Sequence, residues 1–143
     1  MSAGDHGLTR RAVLTGACAA LGLAVGAVGA LPAAAESAVR RLPDGRLAVQ
    51  VRKVPELRRV GGAVRIGTIG GRPVGVARTA VGYRAISLVC PHQGATVVRD
   101  PEGWICPAHG SEFTPTGGLV LGPATRGLPA VRSELKGDVL TVG

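Results

Sequence analysis

Aromatic side chains are scarce in this chain, which has 143 residues but only one Trp, one Tyr and one Phe. Proteins that bind nucleic acid usually stack bases on aromatic side chains and concentrate their positive charge in one patch. The formal net charge is +8, but the basic residues are spread along the sequence. We therefore expect a solvated basic surface and no nucleic-acid binding, with an acidic protein partner or anionic lipid headgroups as the alternative.

A helical pattern and internal repeats are also missing after residue 35. Short apolar runs are instead separated by Gly and Pro at intervals of about eight to twelve residues, which is typical of an all-β domain. The predicted fold class is therefore all-β. The expected strands are Leu47–Val51, Ala63–Thr68, Pro73–Arg78, Tyr83–Val89, Thr96–Arg99, Trp104–Cys106, Leu119–Leu121, Ala130–Leu135 and Val139–Val142.

Charge is absent from residues 12–35, directly after the pair Arg10 and Arg11. Ala33 and Ala35 form an A-x-A site at the end of this apolar run. The pattern is typical of an exported precursor, and the paired arginines resemble a bacterial twin-arginine signal, although no lysine follows them.

The leader defines the expected organisation of the chain. We predict a signal peptide over residues 1–35, a polar linker over 36–45 and one domain over 46–143, located outside the cytoplasm. The alternative is that the leader is retained and that residues 12–31 anchor the protein in a membrane.

Only two cysteines and two histidines follow the leader, and all four lie in one short stretch: Cys90, His92, Cys106 and His109. Between them, the sequence "DPEG" at residues 100–103 favours a tight turn, because Pro and Gly occupy its second and fourth positions. A hairpin across this turn brings the two Cys/His segments together at its open end.

Three kinds of site use such a set of side chains. A disulfide between the cysteines is stable outside the cytoplasm but leaves the histidines without a role. A zinc ion accepts two cysteines and two histidines, although its ligands are usually spaced differently. In a 2Fe-2S cluster with mixed ligands, one iron takes both thiolates and the other takes both imidazoles.

The motifs Cys90-Pro-His92-Gln-Gly94 and Cys106-Pro-Ala-His109-Gly110-Ser111 resemble the two ligand loops of a Rieske iron–sulfur domain. The resemblance runs from about Val54 to the C-terminus and includes "FTPTGGLVLGPATRGLPAVRSEL". It implies stacked antiparallel sheets with two cluster-binding loops at one tip. The implied metal ligands are Cys90, His92, Cys106 and His109. The other implied cofactor-binding residues are Gly94, Gly110, Ser111 and Pro123, whose loop covers the cluster in that family.

Two departures from the family pattern bear on function. Ala95 and Ala108 occupy positions where many Rieske proteins of cytochrome bc complexes carry a second pair of cysteines. Phe113 occupies the position of a tyrosine that donates a hydrogen bond to a cysteine sulfur in high-potential members. Since fewer donors stabilise a reduced cluster less, we expect a low reduction potential.

The resemblance favours an exported electron carrier with no catalysis of its own, which exchanges electrons with redox proteins. The alternatives are the iron–sulfur subunit of a membrane quinol–cytochrome c oxidoreductase and a non-redox zinc-binding module. A ring-hydroxylating oxygenase needs a further catalytic domain, for which 143 residues leave no room.

Overall fold

A computed structural model of the chain describes residues 38–143. These residues form twelve strands and two short 3₁₀ helices, at Val51–Lys53 and Pro55–Arg58. In chain order the strands are β1 Val39–Arg41, β2 Leu47–Gln50, β3 Ala63–Ile69, β4 Arg72–Thr79, β5 Gly82–Ser87, β6 Val98–Asp100, β7 Gly103–Ile105, β8 Glu112–Phe113, β9 Leu119–Leu121, β10 Ala130–Val131, β11 Ser133–Lys136 and β12 Val139–Val142. The predicted all-β fold is confirmed.

The strands form three four-stranded sheets, and all of their pairings are antiparallel. The first sheet has the order β1-β2-β12-β11, the middle sheet β10-β5-β4-β3 and the third sheet β6-β7-β8-β9. The middle sheet contributes to two hydrophobic cores: one is shared with the first sheet and the other with the third. This stacking places the second core beneath the Cys/His segments.

Strand β4 illustrates how one strand serves both cores. Val74 and Val76 are buried in the first core, since side chains at alternate positions point to the same face of a sheet. Ala77 is buried in the second core, and Gly75 faces the ring of Trp104. A Cβ atom at position 75 would lie 3.1 Å from two ring carbons of Trp104, so the small residue makes room for the largest side chain of this core.

The predicted hairpin is present between β6 and β7. Asp100 pairs with Gly103 and Arg99 pairs with Trp104, which leaves Pro101 and Glu102 as the two connecting residues. The strands that flank this turn lead directly into the Cys/His segments, as the sequence predicted.

Two sequence predictions are wrong in part. The expected linker over residues 36–45 contains β1, whose residues 39–41 pair with β2; its sparse apolar side chains gave no strand signal. The expected strand Ala130–Leu135 is two strands in different sheets, with Arg132 between them. Strand β8 was not predicted, because two residues are too few to show an alternating pattern.

The predicted leader over residues 1–35 lies outside the described residues. In the part of the chain that is described, no helix has the length and apolarity needed to cross a membrane.

Candidate metal centre

The two Cys/His segments have the same backbone hydrogen bonds. In the first Cys–His loop, residues 90–95, the Cys90 carbonyl accepts from the Gly94 N–H at 2.9 Å, and the Cys90 N–H donates to the Ala95 carbonyl at 2.7 Å. In the second Cys–His loop, residues 106–111, Cys106, Gly110 and Ser111 make the equivalent bonds, both 2.8 Å long. The chain therefore makes one type of turn twice.

The glycine in each loop is required by its backbone conformation. Gly94 has a φ of 79° and Gly110 a φ of 77°, in the left-handed region that side chains with a Cβ disfavour. Their own N–H groups bond the cysteine carbonyls, so they are engaged in closing the turns. The main-chain N–H that favours the thiolate of Cys90 is instead that of His92.

The thiols point inward and the imidazoles lie at the surface. Cys90 and Cys106 are each 1% exposed and neither forms a disulfide, whereas His92 and His109 are exposed. The two imidazole rings are packed edge to face, with 4.9 Å between their centroids. The hairpin thus brings like donors together from both loops: a buried pair of thiols and an exposed pair of rings.

Burial raises the pKa of the Cys90 thiol above its ordinary value, because an apolar environment disfavours the thiolate. The N–H of His92 and the hydroxyl of Ser111 oppose this effect on the pKa because they favour the thiolate, and the neighbouring Cys106 adds to it. A cation at the sulfurs would reverse the balance, since metal coordination deprotonates a thiol.

Ser111 connects the second Cys–His loop to the β9–β10 loop, residues 122–129. Its side chain is fully buried, and its Oγ accepts a hydrogen bond of 3.0 Å from the N–H of Ala124. Pro123, which precedes Ala124 through a cis Gly122–Pro123 bond, is exposed at the surface of this loop. The hydroxyl therefore fixes the position of the segment that carries Pro123.

Two buried aromatic side chains pack in the same core as the cysteines of the two Cys–His loops. Trp104 and Phe113 pair across β7 and β8, and both are buried in the second core together with the two cysteines. The Trp104 Nε1–H donates to the Pro115 carbonyl at 3.0 Å, which satisfies its polar atom. Fully burying such a side chain stabilises the fold by about 1.5–3 kcal/mol. Core packing accounts for the positions of both aromatic residues.

The donor set fits a 2Fe-2S cluster with mixed ligands. Within residues 38–143, no group of three or more His, Cys, Asp or Glu side chains is arranged around a site for a single metal ion. The four side chains form two pairs, thiol with thiol and imidazole with imidazole. Each iron of a Rieske cluster takes one such pair from the protein.

The structure brings together most of the residues that the sequence singled out. Cys90, Cys106 and Ser111 meet in the interior, with His92 and His109 above them at the surface. Sequence reasoning missed the Ala124 N–H as the partner of Ser111. Both loops share the pattern Cys-Pro-x-x-Gly-x, but sequence reasoning did not predict from it that they form equivalent turns.

Comparison with known proteins gives the same family from sequence and from structure. The model of the family described as "Rieske [2Fe-2S] domain" matches residues 48–132. The plasma membrane Rieske protein PetC3 of the cyanobacterium Synechocystis is 30% identical, with a TM-score of 0.50 over 57% of this chain and 86% of that one. Naphthalene 1,2-dioxygenase is 27% identical, with a TM-score of 0.53 over 61% of this chain and 23% of that enzyme.

Two curated relatives match shorter segments. The Rieske 2Fe-2S iron–sulfur protein YhfW of Bacillus subtilis is 40% identical over 67 residues, which are 45% of this chain and 13% of that protein. A protein of Haloferax mediterranei, named as a Rieske subunit of a respiratory nitrate reductase, is 45% identical over 51 residues, 34% of this chain and 23% of that protein. This chain thus corresponds to a small part of either relative. Since the family model covers more than half of its 143 residues, the chain belongs to the Rieske [2Fe-2S] domain family.

Proposed function

We propose that this protein is an electron carrier whose 2Fe-2S cluster is held by Cys90, Cys106, His92 and His109. In this assignment the cysteines bind the inner iron and the histidines bind the outer iron. The observation that carries the proposal is the separation of the donors into a buried thiol pair and an exposed imidazole pair. When bound, the cluster takes up and releases one electron at a time.

The residues around the thiols provide the environment for that exchange. Burial of Cys90 and Cys106 keeps water from the sulfurs, and the N–H of His92 and the hydroxyl of Ser111 stabilise negative charge at the Cys90 sulfur. The exposed edges of His92 and His109 then provide the surface at which a partner protein exchanges electrons. Gly94 and Gly110 shape the loops, and Pro123 covers them from the neighbouring segment.

Experiments on the full chain, purified without oxygen, test the ligand assignment. We expect two irons, two acid-labile sulfides and no stoichiometric zinc per chain, with an EPR signal after dithionite reduction that is shifted from that of an all-cysteine cluster. Replacing His92 or His109 by Ala, or either cysteine by Ser, removes the signal. Gln93→Ala is the matched control, because Gln93 is an exposed neighbour in the same loop.

Stoichiometric zinc would contradict this proposal and support the zinc-binding module. An oxidised Cys90–Cys106 bond in a metal-free chain would leave a structural domain without a redox function.

The leader is also part of the proposal. We infer that residues 1–35 direct export of the folded domain, residues 46–143, through the twin-arginine route. N-terminal sequencing of the exported protein is expected to begin at Glu36, and changing Arg10 and Arg11 to Lys is expected to block export. An uncut chain in the membrane fraction would support the anchored alternative instead.

A second candidate is a redox subunit of a larger membrane oxidoreductase, such as a quinol–cytochrome c oxidoreductase. The similarity to a protein named as a nitrate reductase Rieske subunit favours a complex of this general kind. Size-exclusion chromatography after mild detergent extraction separates the two candidates. A carrier elutes alone, whereas a subunit elutes with its complex.

A further inference from the structure

A groove of 510 Å³ lies beside the first Cys–His loop. Its volume is within the range of about 300–1,000 Å³ that is usual for ligand pockets. The first Cys–His loop forms one wall of the groove through Cys90 and Pro91, and the middle sheet and the β9–β10 loop form most of the rest. Most of the lining is apolar, and Ile69, Val89 and Val131 are half-buried there.

Two arginines are the only charged residues among those that line this groove. Arg72 comes from the start of β4 and Arg126 from the β9–β10 loop, and both side chains are exposed. Among the residues that the structure describes, neither forms an ion pair or a side-chain hydrogen bond. A guanidinium stays charged at all physiological pH values and binds carboxylates through two parallel hydrogen bonds.

We propose that this groove docks an acidic segment of a partner protein, in which a carboxylate is flanked by apolar side chains. The carboxylate pairs with Arg72 and Arg126, and its apolar neighbours pack on Ile69, Val89 and Val131. Charge complementarity carries the assignment, because the groove offers two unpaired cations, an apolar lining and no acidic residue.

The occupant is a protein because the groove borders the loop of Cys90. This step rests on the proposed function, in which a redox partner must approach this end of the molecule. An acidic segment held in the groove would dock that partner beside Cys90 and Pro91. His92 and His109 do not line the groove, so their exposed surface would stay accessible for electron exchange.

A labelled peptide tests the groove in the holo form of the full chain. The probe is a blocked Leu-Glu-Leu-Glu-Leu peptide with an uncharged fluorophore, and its binding is followed by fluorescence anisotropy at low ionic strength, because salt screens exposed charges. We expect saturable binding that is about tenfold weaker in Arg72→Gln and in Arg126→Gln, since each change removes a charge-assisted hydrogen bond. We expect the double variant to bind the peptide more weakly than either single variant does.

Two matched controls separate the groove from the basic surface as a whole. Arg84→Gln removes an exposed arginine of β5 that does not line the groove, and is expected to leave the affinity unchanged. A Leu-Gln-Leu-Gln-Leu peptide keeps the apolar side chains and is expected to bind at least tenfold more weakly.

Equal losses in the Arg84 and groove variants, or no saturable binding, would overturn the docking site. The docking site would also be overturned if hexanoate bound as tightly as the peptide, because a small free carboxylate would then be a sufficient occupant. The EPR signal of each variant reports the cluster independently. Arginine-dependent peptide binding in a chain without that signal would refute the proposed electron transfer and retain the groove as an acidic-peptide site.

Discussion

The buried hydroxyl of Ser111 accepts a hydrogen bond of 3.0 Å from the backbone N–H of Ala124, thirteen residues further along the chain. The same hydroxyl lies near Cys90 in the other Cys–His loop, where it favours the thiolate and so opposes the raised pKa of that thiol. One side chain therefore connects three segments: both Cys–His loops and the β9–β10 loop. Ser111 is the one buried polar or charged residue among residues 38–143, which indicates a specific role.

Replacing Ser111 by Ala is expected to lower both the stability and the reduction potential. The change leaves the Ala124 N–H buried without a partner, which costs about 1–3 kcal/mol. It also removes a donor that stabilises negative charge at Cys90, so the reduced form loses more than the oxidised form. Thermal unfolding and protein-film voltammetry measure the two effects. The matched control is Thr125→Ala, an exposed position beside Ala124, and equal effects of both changes would contradict the role of Ser111.

Glycine substitutions distinguish conformational strain from lack of space. Gly94 has a positive φ and open space around its Cα, so Gly94→Ala should cost about 1–2 kcal/mol of stability through backbone strain alone. At Gly103 a Cβ atom would lie 1.9 Å from the Phe113 carbonyl oxygen, and backbone cannot move aside as a flexible side chain does.

We therefore expect Gly103→Ala to cost about 3 kcal/mol or more, and to lower the Tm further than Gly94→Ala does. The apparent Tm of the two holo proteins, compared at one scan rate, checks the order. If Gly94→Ala lowered the Tm further than Gly103→Ala, then β7 and β8 would separate easily. That result would contradict the close packing of Trp104 on Phe113.

The Cys/His site could be predicted from the sequence because its signals are local. Each Cys–His loop closes through hydrogen bonds between residues four or five apart, and the hairpin between them is set by "DPEG". The contact between Ser111 and Ala124 could not be predicted in this way. It depends on how the β9–β10 loop passes from the third sheet to the middle sheet, and no local sequence pattern indicates that path.

The same distinction explains the errors in the fold. Val39–Arg41 is an edge strand with two exposed arginines, and it is held by pairing with β2 and by a hydrogen bond of 2.8 Å from Arg41 to the Thr68 carbonyl. Neither interaction leaves an alternating apolar pattern. Ala130–Val131 and Ser133–Lys136 read as one continuous strand, because sequence does not reveal that they belong to different sheets.

Arg99 joins two sheets, and we expect lysine to replace it poorly. Its Nε donates to the Ala63 carbonyl at 3.1 Å, and its guanidinium also bonds the carbonyls of Asp100 and Gly103 and lies over the Trp104 ring. A lysine keeps the charge but not this planar set of donors. If Arg99→Lys costs about 1 kcal/mol of stability, its Tm falls by about 4–8 °C.

The matched control for Arg99→Lys is Arg84→Lys, at an exposed position of β5. If both changes lower the Tm equally, the contacts of Arg99 contribute nothing specific to stability. Thermal unfolding by circular dichroism is the measurement.

Asp44 gives a stability difference that depends on pH. The backbone N–H and then the side chain of Arg46 hydrogen-bond its carboxylate, which lowers its pKa below the ordinary value of 3.8. A lowered pKa adds stability above pH 3.8, and this contribution is lost as the pH falls through the folded-state pKa. Asp44→Asn should therefore lower the Tm slightly at pH 7, and the difference from wild type should disappear in acid. A difference that persists below the folded-state pKa would contradict this electrostatic origin.

Phe113 provides the sharpest test of the expected low potential. It is 2% exposed in the core that also contains Cys90 and Cys106, and its side chain has no donor. We expect the wild-type midpoint in the lower part of the range of about −150 to +300 mV, and a higher midpoint in Phe113→Tyr, because an added hydroxyl near the sulfurs stabilises the reduced form. Tyr83→Phe is the matched control, since Tyr83 packs against the other core and should leave the midpoint unchanged. Protein-film voltammetry at fixed pH measures all three proteins. If Phe113→Tyr keeps its cluster and its midpoint, then the missing hydroxyl does not set the potential. His92 and Ser111, which favour the thiolate of Cys90, then become the residues to vary.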